Sequence, residues 1–319
     1  MKLLMIGGTK FLGRAYVDEA LARGDEVTIF TRGQTNPSAY GDEVLQLRGD
    51  RTSDLSALHG GTWDVVVDTC GYDPAVVEKS AALLRDSVGQ YVFVSSLSVY
   101  QRWDGDESAT LVAADDQDDA GHYGYNKAQC EQVVERHFPG RSAHLRAGLI
   151  VGPHEDVGRL PYWLAAAARE PVVVAPAPPE RTIQLIDARD IAAFTLRLAD
   201  QRGSGPYNVT TPEGEQTFRD LVVACLDVTD SAADVVWADD AALHAAGIAP
   251  WTGLPLWLPP ELGSWSTGVT RAQEAGLVCR PLHDTVADTW EWLRHVQDYQ
   301  PRWPYATPDK LAAVLAAAR

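Results

Sequence analysis

The chain has 319 residues, with 44 Asp and Glu against 27 Lys and Arg and a formal charge of -17 at pH 7. That charge opposes non-specific attraction to nucleic acid or to an anionic membrane surface, because both need a positive field. Hydrophobic residues at 45% and charged residues at 22% match ordinary globular usage and exclude the compositions of disordered and membrane proteins.

The length suits one large domain, or a main domain with a smaller one attached. The N-terminal run MKLLMIGG reaches glycine too soon for a signal-peptide core or a membrane span, so it reads as a first strand. Cys70, Cys130, Cys225 and Cys279 form no CxxC pair and have no metal-ligand spacing. No metal is expected, and a reduced, cytoplasmic setting is.

In chain order, short β-rich runs fall at 2–6, 26–30, 44–47, 64–68, 91–96 and 143–151, with helical patterns at 11–23, 74–86 and 122–138. This alternation predicts an α/β fold, a Rossmann-type doubly wound parallel sheet. The block 183–199 reads as strand then helix, and 206–210 as one more strand, both able to return to that sheet. The expected division is a dinucleotide-binding domain over 1–153, completed by about 181–212. A smaller, substrate-binding C-terminal region takes 154–180 and 213–319. Proline clusters at 176–180 and 255–261 mark loops there. The alanine-rich end DKLAAVLAAAR reads equally as a terminal helix or a frayed tail.

The first strand runs into GGTKFLG and then a helix, the context a dinucleotide fingerprint requires. Gly7 serves the tight turn, Gly13 the close helix packing, and the helix N-terminus faces an anionic pyrophosphate. Candidate cofactor contacts in this turn are Gly7, Thr9, Lys10, Phe11, Leu12 and Gly13. Lys10 stands where a middle glycine is usual and can bring its ammonium to a phosphate. After the second strand, where an NAD site places a carboxylate for the ribose 2′-hydroxyl, the chain has Phe30-Thr31-Arg32-Gly33. Arg32 with Lys10 would clamp a 2′-phosphate, which favours NADP(H) over NAD. Asp50 and Arg51 follow the third strand and Cys70 the fourth, all at carboxyl ends of strands, where open α/β sheets bind ligands. Asp50 is placed to accept from an adenine amine.

VFVSSLSVY at 92–100 precedes Tyr123-Gly124-Tyr125-Asn126-Lys127, which opens a helix. Tyr123 and Lys127 are i and i+4 and project from one face. An ammonium held beside a phenol favours the phenolate and makes a tyrosine a usable acid/base.

With GGTKFLG, GDRTSDL, VSSLSVY, YGYNK and IDARDIA in order over the first two-thirds, the chain resembles the short-chain dehydrogenase/reductase superfamily. The branch is the extended or atypical one of epimerases, dehydratases and reductases. The resemblance implies that Tyr123 is the general acid/base, that Lys127 binds the nicotinamide ribose and tunes Tyr123, and that Ser96 takes the serine/threonine place. Leu97 and Ser98 stand where sugar-nucleotide dehydratases of this branch have Asp-Glu, which argues against a 4,6-dehydratase.

The expected function is hydride transfer between NADPH and a carbonyl, alcohol or C=N group of a small molecule. The alternatives are an NAD-dependent sugar or nucleotide-sugar epimerase, and a catalytically inactive cofactor-binding regulator. No nucleic-acid or membrane partner is expected, and the resemblance allows a homodimer. The acidic stretch between Gln101 and Ala120 reads first as a solvated loop. Arg146, Arg159, His154, Arg169 and Arg181 are candidates for an anionic substrate. Trp163, Trp251 and Trp257 are candidates for an apolar or sugar-stacking wall.

Overall fold

The computed structural model describes residues 1–113, 119–258, 265–302 and 305–317. In chain order the elements are β1 (Lys2–Ile6), α1 (Phe11–Ala22), β2 (Glu26–Thr31), β3 (Leu45–Arg48), β4 (Trp63–Asp68), α2 (Pro74–Leu84), β5 (Val88–Ser96), α3 (Asp119–His137) and β6 (Ser142–Ala147). Then come β7 (Leu149–Val151), α4 (Arg159–Arg169), β8 (Val172–Pro176), β9 (Thr182–Ile183), β10 (Leu185–Asp187), α5 (Ala188–Asp200), β11 (Gly205–Val209), β12 (Gln216–Thr217) and α6 (Phe218–Val228). The chain ends with β13 (Asp234–Ala238), α7 (Asp240–Ala245), α8 (Thr270–Glu274), α9 (Leu282–Leu293) and α10 (Pro308–Ala317).

Two compact units result. The first comprises Met1–Gly148, Ala188–Thr210 and Gly268–Val278. Its seven-stranded sheet has the order β11-β6-β5-β4-β1-β2-β3, parallel at every pairing. This is the Rossmann-type α/β architecture. Strands covered on both faces must be apolar without alternation, and Leu3–Ile6, Val65–Val67 and Tyr91–Val94 are buried throughout. On one face Val77, Ala81 and Leu84 of α2 and Val134 of α3, with Phe138 beyond it, join Val66, Tyr91 and Phe93 in one apolar cluster. Elsewhere in the unit, α1 and α5 are tied by Tyr16 Oη and Thr195 Oγ1 at 2.8 Å.

The expected strand over 143–151 is in fact two. The chain leaves the sheet at Gly148, whose N–H donates to Val209 O at 3.0 Å. β7 then pairs in parallel with β10 in a separate two-stranded sheet. The strand expected near 183 therefore does not return to the first sheet; only α5 and β11 do.

The second unit comprises Leu149–Asp187, Thr211–Thr267 and Cys279–Arg319. Besides β7 and β10 it holds the antiparallel pair β9/β12 and the parallel pair β8/β13. Trp163 of α4 is buried edge-on to Phe218 at 5.8 Å and donates to Pro255 O at 3.2 Å. Thr217 and Asp220 close a reciprocal capping box on α6. The alanine-rich end is a docked helix: Val314 is buried and Lys310 Nζ donates to Gly247 O at 2.6 Å. Among the described residues no helix is long and apolar enough to cross a membrane.

Candidate active site

The carboxyl ends of β1, β2, β4 and β5 carry most of the residues singled out above. Gly7 at φ +111° and Gly8 at φ +113° form the turn after β1, a conformation that glycine adopts without a Cβ penalty. A Cβ on Gly13 would lie 2.7 Å from Gly8 N, so α1 can meet this turn only through a glycine. Phe11 opens the helix at φ +24°, a costly conformation for a residue with a side chain. Lys10, exposed, is the N-cap of α1, and its side chain makes no capping hydrogen bond to the helix. The first N–H groups of α1 thus keep their capacity for an anionic oxygen.

Two further residues shape this turn. Asn36 Nδ2 donates to Thr9 O at 2.9 Å and Tyr40 Oη to Gly8 O at 3.1 Å, strapping the loop after β2 onto the glycine turn. Neither stands out in the sequence, because Asn36-Pro37 signals only a loop. Arg32 is exposed at the end of β2. Asp50 is held below the usual carboxylate range, first by the Thr52 hydroxyl and N–H and then by Arg32. Its Oδ1 accepts from Thr52 N at 2.8 Å and Oγ1 at 2.6 Å.

Arg51 lies elsewhere than its position after a strand suggested. It is buried, with Nη1 on Asp68 Oδ1 at 2.7 Å and Nη2 on Asp68 Oδ2 at 2.5 Å. Nη2 also reaches Ser80 Oγ at 2.8 Å, and Tyr91 Oη donates to Asp68 Oδ2 at 2.7 Å. The guanidinium fork is committed to fixing the ends of β3 and β4 from within. Cys70 lies beside this pair; burial, then the Asp68 charge, pushes its thiol up to about 11. That environment makes it a poor nucleophile.

At β5 the backbone passes into a short 3₁₀ turn at Leu97–Val99. Ser96 caps the turn by accepting from Ser98 N at 3.1 Å, and its Oγ lies 3.1 Å from Ser98 Oγ. Two hydroxyls therefore stand together, where the sequence pattern pointed to one. Helix α3 crosses here, and a Cβ on Gly124 would fall 1.9 Å from Ser98 O. Gly124 is thus what lets Tyr123 and Lys127 approach the serine turn, a role invisible in the YxxxK spacing.

Tyr123 is 40% exposed, whereas Lys127 is only 3% exposed. Lys127 Nζ donates to Val94 O at 2.8 Å and lies 5.9 Å from the Tyr123 ring centroid. Its other contacts are the faces of Tyr72 and Phe93, each at 4.8 Å. A buried ammonium with, among the described residues, one oxygen acceptor and three aromatic faces keeps donor capacity for an oxygen-rich ligand. This donor set, with the uncapped α1 N-terminus and the glycine cradle, fits a nicotinamide dinucleotide.

Several candidates for the substrate side are committed to structure. Arg146 is buried against Glu131 at 2.7 Å and donates to Tyr100 Oη at 2.7 Å. Arg181 pairs with Asp240 at 2.7 Å. Arg159 lies 3.8 Å from the buried Glu155. His154 packs against Trp292 at 5.3 Å. Trp163 and Trp257 are core residues. Of the acidic stretch, Glu107 accepts from Asn208 N at 2.8 Å and Asp106 from the Ser108 N–H and hydroxyl. Asp115, Asp116 and Asp118 lie outside the described residues.

Among known proteins, the chain is 33% identical over 119 residues to the chloroplast stem-loop binding protein of 41 kDa b from Arabidopsis thaliana. The match covers 32% of this chain and 31% of that protein, so the chain spans about a third of the relative's length. Solved structures share the fold. One is MoeE5 in complex with UDP-glucose and NAD, with a TM-score of 0.68 and 18% identity over 92% of this chain and 99% of that one. Another is the UDP-glucose 4-epimerase of Thermus thermophilus in complex with NAD, with a TM-score of 0.63 and 18% identity over 93% and 100%. Residues 3–210, which take in the seven-stranded sheet apart from Lys2 of β1, match the NAD dependent epimerase/dehydratase family, and to that family this chain belongs.

Proposed function

We propose that this protein binds a nicotinamide dinucleotide at the carboxyl edge of its seven-stranded sheet. There it transfers a hydride to or from a carbonyl or alcohol carbon of a small molecule. The observation that carries this reading is the buried Lys127 ammonium, one helical turn from Tyr123 and donating to Val94 O. When bound, the nicotinamide supplies or takes the hydride. In the oxidising direction the Tyr123 phenolate oxygen removes the hydroxyl proton as the carbon gives up its hydride and the C=O bond forms. In reduction Tyr123 returns a proton to the carbonyl oxygen. Ser96, with Ser98 beside it, orients that oxygen, and Lys127 holds the nicotinamide ribose and stabilises charge on Tyr123. Gly7, Thr9, Lys10, Phe11, Leu12 and Gly13 would hold the pyrophosphate.

Two forms of this activity draw on different observations. Arg32, exposed at the end of β2 without a carboxylate among residues 30–33, supports a 2′-phosphate contact, and with it an NADP(H)-dependent reductase. Family membership, and likeness in fold to proteins named as NAD-bound nucleotide-sugar epimerases, supports an epimerase. Such an enzyme oxidises and re-reduces one bound substrate. The retained Ser96, Tyr123 and Lys127 speak against an inactive cofactor-binding regulator.

Two measurements test the reading. The nucleotide released on denaturing the purified protein distinguishes the forms, since retained NAD indicates the epimerase and its absence with selective NADP(H) binding the reductase. Once a substrate is in hand, Tyr123→Phe lowers turnover by roughly 10² to 10⁴ while leaving cofactor affinity within about twofold. A variant as active as the parent removes Tyr123 from the chemistry.

A further inference from the structure

Tyr72 was not among the residues the sequence motifs singled out, yet it lies within the catalytic cluster. It is 58% exposed, an unusual state for a large ring held in place from both sides. On its N-terminal side Cys70 N donates to Asp68 Oδ1 at 3.1 Å and Cys70 Sγ to Ile6 O at 3.4 Å. Gly71 is packed so that a Cβ there would fall 2.5 Å from the Phe93 ring. On its C-terminal side Asp73 caps α2 by accepting from Ala75 N at 2.8 Å, with Pro74 opening the helix. From this pinned loop the Tyr72 ring meets the Lys127 ammonium at 4.8 Å and lies 6.4 Å from the Tyr123 ring, tilted by 37°.

Phe93 and Tyr72 lie equally far from the ammonium, but only one of them is core. Phe93 is fully buried in the sheet and serves packing whatever binds. Tyr72 contributes little to the core and still stands at the buried Lys127 ammonium. Its ring thus pairs solvent exposure with contact to the ammonium.

We infer that Tyr72 is a further ligand-holding residue, its ring covering the Lys127 ammonium and walling the nicotinamide-ribose side of the cofactor site. This rests on the cofactor reading above. An aromatic face on a cation, and against a flat or sugar ring, contributes affinity through the ring and not through the hydroxyl. Tyr72→Phe should therefore behave as the parent and Tyr72→Ala should not.

The test is calorimetric titration of the full chain and both variants with NADP, NAD and ADP, the last lacking the nicotinamide riboside. Tyr72→Ala is expected to weaken the preferred dinucleotide roughly tenfold, one cation–π-sized contact, and to leave ADP unchanged. Tyr72→Phe stays within about twofold for all three. The inference is overturned if Tyr72→Ala binds the dinucleotide like the parent, if it loses ADP equally, or if Tyr72→Phe falls as far as Tyr72→Ala. A parent protein that binds neither dinucleotide overturns the cofactor reading itself, and this inference with it.

Discussion

Asp68 in the first unit and Glu155 in the second are both fully buried carboxylates, and their surroundings drive them in opposite directions. For Asp68 burial opposes the charge, but Arg51's two-pronged guanidinium outweighs it, and the Tyr91 hydroxyl and Cys70 N–H add to it. The carboxyl is held below the usual range. For Glu155 burial prevails. Arg159 is 3.8 Å away, and the N–H groups of Arg159 and Leu160, at 2.7 and 3.2 Å, compensate only in part. Its carboxyl is pushed up to about 7. A planar cation in contact sustains a buried anion; helix N–H groups with a distant cation do not. The first unit thus braces the carboxyl edge of its sheet with a full ion pair, while the second uses a carboxyl group mainly as a cap at the start of α4.

The largest effect that separates the two is Asp68→Asn. It leaves the Arg51 cation buried without its counter-charge and should cost about 3–5 kcal/mol, read by urea denaturation. A loss under about 1 kcal/mol would make the pair dispensable. Next is Gly124→Ala. Its Cβ would meet Ser98 O at 1.9 Å, so α3 must shift, at a cost of about 1–3 kcal/mol and with Tyr123 and Lys127 carried away from Ser96. Unchanged melting together with full dinucleotide affinity would contradict the close approach.

Near pH 4.5, where the folded-state carboxyl is neutral, Glu155→Gln should change stability by no more than about 1 kcal/mol, because the amide oxygen still accepts from the helix N–H groups. The sign depends on pH. The folded-state value of about 7 lies above the ordinary value of 4.5, so between these the folded state binds more protons and stability falls as pH rises. The parent should lose melting temperature relative to Glu155→Gln from pH 4.5 to 7. Asp68, depressed, contributes stability that is present above the ordinary carboxylate value and lost as pH falls below it. Parallel melting curves for parent and Glu155→Gln across pH 4.5–7 would remove the contrast. Smallest is Arg32→Ser, expected to narrow any difference between the melting shifts given by NADP and NAD and to leave unliganded stability within about 0.5 kcal/mol. An unaltered NADP preference would take Arg32 out of cofactor selection.

What was legible in the sequence was local. The strand, glycine turn and helix at 2–22 are set by neighbours in the chain, and the Tyr123/Lys127 pair by helical spacing alone. A cation after a strand looks the same in sequence whether it faces a ligand or, as Arg51 does, an interior carboxylate. Its partners Asp68, Ser80 and Tyr91 come from three different elements. Tyr72, Gly124 and the Asn36/Tyr40 strap likewise take their roles from atoms distant in sequence. The strand over 143–151 was drawn too long because β6 and β7 are both apolar; only the departure at Gly148 tells them apart. In the second unit Trp163 and Trp257 take the commoner of the two roles open to a tryptophan, core over pocket wall, since an aromatic residue carries no local mark of which it fills.

The most direct test of the cofactor site is thermal melting of the purified protein with NADPH, NADP, NADH and NAD in turn, beside Gly13→Val. A ligand that binds only the folded state must raise the melting temperature. The account predicts a rise with at least one nicotinamide dinucleotide, and its loss in Gly13→Val, whose side chain would push α1 off the turn. A parent protein that melts at the same temperature with all four nucleotides contradicts it.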